Sequence, residues 1–382
     1  MIVRLRSIHH AGVSVMVGRL HTVAFRVLTN FAGLPDRVAG CAVEVIQVRP
    51  SNGAIVRSIL GLATCDAVII NGWPKGLMAL GAARMLVPFG LLRRARLVSV
   101  DLALAPQDGR LVSRIKSRLL REVDGFLLPI KDTSGYEIGY GIGKEKISYF
   151  PFKVNSLDLI RRAAGRGQEY VLTCGQSYRD FGTFCAAMSG LDYPAIILTP
   201  RGPDRALHGS SAEEFPIPNN VRIVHDDGSP ESWIGYIADA KLLVLCIAPE
   251  AINPSGLSAY LVAMALGKCV VITESPATRG ILADGQDAVL VPVRDPGAVR
   301  AAIAELWVDD ARRDAIARRG YEYAMSLGGD DEYHRNVINR VIELVRGDRP
   351  DEPAGPAASL TRSPAGAPSR TAAPDPGDLD RS

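Results

Sequence analysis

From Cys41 onward the chain alternates short β-branched runs with longer stretches whose apolar residues recur at helical spacing. The runs Val43–Val48, Ala67–Ile70, Leu97–Val100 and Phe126–Ile130 predict strands. Ala54–Ala63, Gly76–Val87 and Leu111–Val123 predict the helices between them, and Ser148–Phe152 reads as an exit strand. The second half repeats this order with Tyr170–Cys174, Ala195–Thr199, Val221–His225, Leu242–Ile247, Val270–Thr273 and Ala288–Val293. Runs such as LLVLCI lack polar alternation, so they demand burial on both faces, as in a parallel sheet covered by crossover helices. Two longer helical patterns follow, Pro296–Met325 and Glu332–Arg346. The pattern predicts an α/β chain of two Rossmann-like domains facing a cleft. The expected divisions are 1–155, 156–330, a C-terminal helix at 331–347 returning to the front domain, and a tail at 348–382.

The tail changes this picture by composition. Its Pro, Ala, Ser and charged residues bury too little apolar surface to offset ordering entropy, so it is expected to be disordered. The first 40 residues carry no glycine-rich turn, and His9 and His10 read more readily as surface or capping groups than as cleft residues. Arg4, Arg6 and Arg19 make a poor signal peptide, and no uncharged apolar run reaches the roughly 20 residues of a spanning helix. The expected location is the cytoplasm, extending to the inner face of the membrane. A net charge of +3, with no zinc-finger or helix-turn-helix spacing, argues against nucleic acid as a partner. The six cysteines form no CxxC pair and mostly lie in apolar runs; buried reduced thiols are expected, with no metal site.

Candidate chemistry gathers at strand ends. After YVLTC comes the turn Gly175-Gln176-Ser177-Tyr178-Arg179-Asp180, then the helix FGTFCAAM. Glycine permits a sharp turn there, and Arg179 together with helix N-terminal amides would suit a phosphate; pairing of Arg179 with a surface carboxylate is the alternative. After KLLVLCI the loop APEAINPS leads into GLSAYLVAMALG. Ser255 is a good N-cap by type, and Gly256 would let a ligand approach the first free amides. This start reads either as an anion site or as a well-capped packing helix. In the front half Asn71-Gly72-Trp73 and Asp101 follow strands; Asp101 would orient an acceptor hydroxyl or serve as a turn residue. Leu111, Val112, Ile115, Leu119 and Val123 line one helical face beside Arg114, Lys116, Arg118 and Arg121, just after a basic segment with Arg93, Arg94 and Arg96. These features fit an anionic membrane surface, or an ordinary core stripe with a solvated basic face.

The run from Ser255 to Ile303 resembles the nucleotide-sugar half of family 4 glycosyltransferases of the GT-B fold. The matching positions are Ala263-Met264-Ala265, Gly267-Lys268, Val270-Val271, Asp284-Gly285, Leu290-Val291-Pro292 and Asp295, and the turn with Arg179-Asp180 resembles a variant of the family's phosphate turn. The resemblance implies a metal-independent transfer, with retention, from a UDP- or GDP-sugar to a glycan, polysaccharide or lipid-linked acceptor, with no cofactor. It places the donor against Gly175, Arg179, Ser255, Gly256, Leu257 and Ser258. The family's two glutamates, separated by seven residues, are missing: Val262 stands at the ribose-binding position and Pro254 near the other. Gln176 replaces an arginine of the family turn; Glu250 and Glu274 are nearby carboxylates without the family spacing, so the alternatives are a weakened donor contact, one moved to Glu274, or its loss. Alternatives are a GT-B nucleotide-sugar epimerase, or a non-catalytic homologue that binds a glycan or partner.

Overall fold

The structure is a computed structural model that describes residues 24–87, 90–106, 109–163, 165, 167, 169–200, 210 and 215–347. The expectations for His9, His10 and the tail after Gly347 lie outside the described residues. The first sheet comprises β1 (Phe25–Thr29), β2 (Arg37–Val38), β3 (Cys41–Gln47), β4 (Ala67–Asn71), β5 (Arg96–Val100), β6 (Gly125–Leu128) and β7 (Ile147–Tyr149). Its order is β2-β3-β1-β4-β5-β6-β7, parallel except for the short β2–β3 pair. The first strand, FRVLT, was not expected from the pattern, because Arg26 breaks the apolar run. Arg26 instead pairs with Glu44 on the neighbouring β3 at 2.9 Å, while Val27 and Leu28 are buried in the cores on either side of the sheet.

Helices α1 (Asn52–Thr64), α2 (Pro74–Leu86), α3 (Arg110–Leu120) and α4 (Ser134–Tyr140) pack with one another along one side of this sheet. Ser51 caps α1 by accepting from the Ala54 amide, and α2 opens on Pro74, whose fixed φ suits a first helical position. The apolar stripe running through α3 is only partly used. Val123 is buried and Leu119 half-buried, but Leu111, Val112 and Ile115 are 71%, 50% and 54% exposed, so an ordinary core stripe describes only the far end of that face.

The second sheet is formed by β8 (Val171–Cys174), β9 (Ala195–Pro200), β10 (Val221–Asp226), β11 (Leu242–Leu245), β12 (Cys269–Thr273) and β13 (Val289–Val291), after a short helix α5 (Leu157–Arg162). It is parallel throughout, in the order β10-β9-β8-β11-β12-β13, the doubly wound arrangement of nucleotide-binding folds. Every residue of β8, β11 and β12 is buried, as continuous apolar strands require. The covering helices are α6 (Phe181–Met188), α7 (Pro230–Asp239), α8 (Leu257–Ala265), α9 (Pro296–Val308) and α10 (Asp310–Leu327). The pattern at Pro296–Met325 predicts one helix, but Asp309 ends α9 and also caps α10 by accepting from the Arg312 amide. All six cysteines are free thiols, five of them buried.

The last helix, α11 (Asp330–Arg346), does not stay with the second sheet. Its Tyr333, Val337 and Val341 pack with Val27, Val43 and Val98 on the other side of the first sheet. The chain thus crosses between domains twice, and the crossings are joined where the Val154 amide donates to Gly328 at 3.0 Å. A further contact is made by the loop after β11. The buried Asn253 amide donates to the Leu104 carbonyl at 3.2 Å, and Ile252 sits against Gly135. Arg279 and Asp132 pair across the domains at 2.9 Å.

Candidate functional site

The carboxyl ends of β8 and β11 diverge where the strand order of the second sheet reverses, the place where open α/β sheets leave a crevice for ligands. Gly175 follows β8 with a φ of 101°, which a residue with a side chain rarely adopts. A Cβ there would lie 2.4 Å from Nη2 of Arg179, so the guanidinium fills the space that glycine leaves. Arg179 is buried, its Nε donating to the Cys174 carbonyl at 2.7 Å and its Nη1 to the Ser177 carbonyl at 2.8 Å. Asp180 is not its partner, because that carboxylate accepts from the Thr183 amide and caps α6. Burial lowers the pKa of Arg179 from its usual value, which means the fold holds a cation at a cost that an incoming anion relieves.

Arg179 lines a cavity of about 820 Å³. Gly175, Gln176 and Ser177 contribute the turn after β8; Asp226, Gly228, Ser229 and Trp233 come from the end of β10 through the first turn of α7; Ser258 and Ala259 from the first turn of α8. Lys153, Asn155 and Ser156 enter from one interdomain crossing and Asp330 from the other. Lys153 is held by Asp330 at 2.6 Å, and Asn155 donates to the Ser258 hydroxyl at 2.8 Å. Among the described residues no acceptor serves the backbone amides of Ser258 and Ala259, the free donors that a helix start offers to an anion. Two cations, two free amides and a hydroxyl therefore face one volume large enough for a nucleotide-sized ligand.

The structure brings Gly175, Arg179 and Ser258 together at this cavity and leaves Ser255, Gly256, Leu257 and Glu274 off its walls. The Ser255 hydroxyl donates to Asn253 at 2.5 Å, inside the domain contact, and does not cap α8. Gly256 is the residue that precedes the helix, with a φ of 91°, and its open side meets Ile247 and Ile272 at 3.2 and 3.4 Å. Its close approach is to the core and not to a ligand. Leu257 is buried in the same core, while Glu274 is exposed. Val262 is fully buried among Leu261, Ala263 and Met264. Asp101 follows β5 with a φ of 50°, lies outside the cavity walls and interacts electrostatically with Lys153. Burial pushes its carboxyl pKa up to about 6 and Lys153 partly pulls it back. Beyond it, Asn30 and Asn71 exchange hydrogen bonds of 2.7 and 2.8 Å across the point where the first sheet reverses its order.

Lys153, Asn155, Asp226, Trp233 and Asp330 were not singled out from the sequence. Asp226 alone carries a local signal, a carboxylate at the end of a strand. The other four are assembled by the two crossings and the first turn of α7. Among the described residues no group of three or more His, Cys, Asp and Glu side chains is placed to hold a metal ion, and no helix is long and apolar enough to cross a membrane.

Residues 201–309 match the family described as glycosyl transferases group 1. Comparison with curated proteins returns no match. Among solved structures, the fold is similar to that of Anabaena Alr3699/HepE in complex with UDP and glucose, with a TM-score of 0.60, 14% identity and coverage of 80% of this chain and 86% of that one. It is also similar to the sucrose-phosphate synthase of Thermosynechococcus elongatus, with a TM-score of 0.58, 13% identity and coverage of 84% and 89%. WaaG, a glycosyltransferase involved in lipopolysaccharide biosynthesis, aligns with a TM-score of 0.51, 17% identity and coverage of 84% and 91%. The chain has the GT-B fold of glycosyltransferases, and the segment that matches the group 1 family lies in the domain that supplies most of the cavity.

Proposed function

We propose that the protein transfers a sugar from a nucleotide-sugar donor, without a metal ion and with retention at the sugar carbon, to a glycan or lipid-linked acceptor. The reading is carried by the convergence of Arg179, Lys153 and the free amides of Ser258 and Ala259 on one cavity at the switch point of the second sheet. As the glycosidic bond breaks, negative charge gathers on the leaving diphosphate. These groups stand fixed before the reaction, so they stabilise that charge without reorganising. Similar structures hold UDP and UDP-glucose, which supports a donor of this chemical class. Asp101, outside the cavity walls but within electrostatic reach of Lys153, orients the acceptor hydroxyl in this scheme.

The acceptor side favours a lipid-linked substrate at the cytoplasmic membrane face. The exposed Leu111, Val112 and Ile115 stand beside Arg114, Lys116 and Arg118, with Arg94 in the neighbouring segment. Arg93 and Arg96 add less, since they face Glu122 and Asp124. An apolar stripe rimmed by cations suits an anionic leaflet.

A second reading, a non-catalytic homologue, is favoured by Val262, whose burial leaves no carboxylate at the family's ribose position. Calorimetric titration with UDP, GDP and their glucose and mannose conjugates, with and without magnesium, paired with an assay for released nucleoside diphosphate, separates the two. Binding with release supports the transferase, and binding without release on any acceptor supports the homologue. No binding at all defeats the nucleotide reading.

A further inference from the structure

Asp226 ends β10 and lines the cavity although it is only 8% exposed. The Gly228 amide donates to its Oδ1 at 2.9 Å. Among the described residues Oδ2 has no hydrogen-bond partner, and no cation pairs with the carboxylate. Asp330, the other carboxylate in the wall, is already committed to Lys153. The free carboxylate oxygen, open to the cavity, repels a phosphate and is an acceptor available to a ligand's hydrogen-bond donors. The cavity therefore suits a ligand that offers both an anion, for Lys153, Arg179 and the start of α8, and hydrogen-bond donors, for Asp226.

We propose that Asp226 is the nucleoside-recognising carboxylate of this site, accepting from a pair of adjacent donors and replacing the acceptor lost where Val262 is buried. The inference rests on the nucleotide-sugar reading and specifies its nucleoside end. Two nucleoside groups present such a pair, the ribose diol and the N1–H/N2–H edge of guanine, and a carboxylate accepts both donors of either. Asp226 is thus a specificity-determining residue, with a different readout for each source.

The test is calorimetric titration of the full chain with GDP, IDP, 2′-deoxy-GDP, UDP, 2′-deoxy-UDP and pyrophosphate, repeated with Asp226→Asn. That variant keeps an oxygen for the Gly228 amide, and the analogue series on the wild type gives a readout even if the variant does not fold. Guanine recognition predicts that GDP binds about tenfold or more tighter than IDP, and that Asp226→Asn removes the gap. Ribose recognition predicts a similar gap between each nucleotide and its deoxy form, again removed by the variant. Pyrophosphate binds both proteins equally in either case. If nucleoside diphosphates bind but every analogue and the folded variant match GDP and UDP on the wild type, the role of Asp226 falls and the nucleotide reading stands. If nucleoside diphosphates bind no better than pyrophosphate, the nucleotide reading falls and the assignment falls with it.

Discussion

At Asp101 a left-handed backbone and an enclosed carboxyl coincide, a costly combination of the kind that clusters at functional sites. Its folded pKa of about 6 lies above the unfolded carboxylate value, so the folded state keeps a proton that the unfolded chain has lost. Stability must then fall as pH rises from about 4 to 6, and stay lower above that window. Asp101→Asn, which tolerates the same backbone, is expected to gain about 1–3 kcal/mol at pH 7 and little at pH 4. Urea denaturation at the two pH values checks this. The same variant should transfer sugar more slowly if Asp101 orients the acceptor. A rise in stability with unchanged turnover would confine Asp101 to a structural role.

The start of α8 shows what an element takes from its neighbours. Serine before a helix is a good cap by type, and glycine after it invites a ligand. In the structure, however, Asn253 reaches the front domain, draws Ser255 into that contact, and starts the helix two residues later. The free donors move to Ser258 and Ala259. Patterns that depend on near neighbours were readable in advance: the buried strands of LLVLCI type, the sharp turn at Gly175, and Arg179 behind it. Groups brought together by distant segments were not, because nothing local marks Lys153 or Asp330 as cavity residues. On α3 the helical periodicity was legible but its burial was not, since exposure depends on which layer packs above. Val262 illustrates the same limit. Val262→Glu would drive a carboxylate into a fully buried helix face with no partner, and should destabilise the protein by about 3 kcal/mol or more without tightening nucleotide binding. Denaturant midpoints and a UDP titration test it together; a stable variant with stronger binding would place position 262 at the ribose after all.

On the scale of the whole molecule, the exposed apolar stripe and its cations make membrane association measurable. The full chain should sediment with phosphatidylserine vesicles at low salt and not with phosphatidylcholine alone, and the association should weaken as ionic strength rises. Leu111→Ser with Ile115→Ser should reduce it by about tenfold or more, given the burial energy of the two side chains. Sedimentation that ignores both lipid charge and the double substitution would remove the membrane from the scheme. The route of the chain carries one more consequence. Because α11 supplies the cover for Val27, Val43 and Val98, the first domain is encoded in two pieces, its sheet before the whole second domain and its covering helix after it. A ribosome must therefore release the inserted domain, able to close on its own core, before the segment begun earliest receives its last layer. A chain truncated before residue 330 would leave an apolar sheet face open to solvent, and maturation from the amino end inward is reversed.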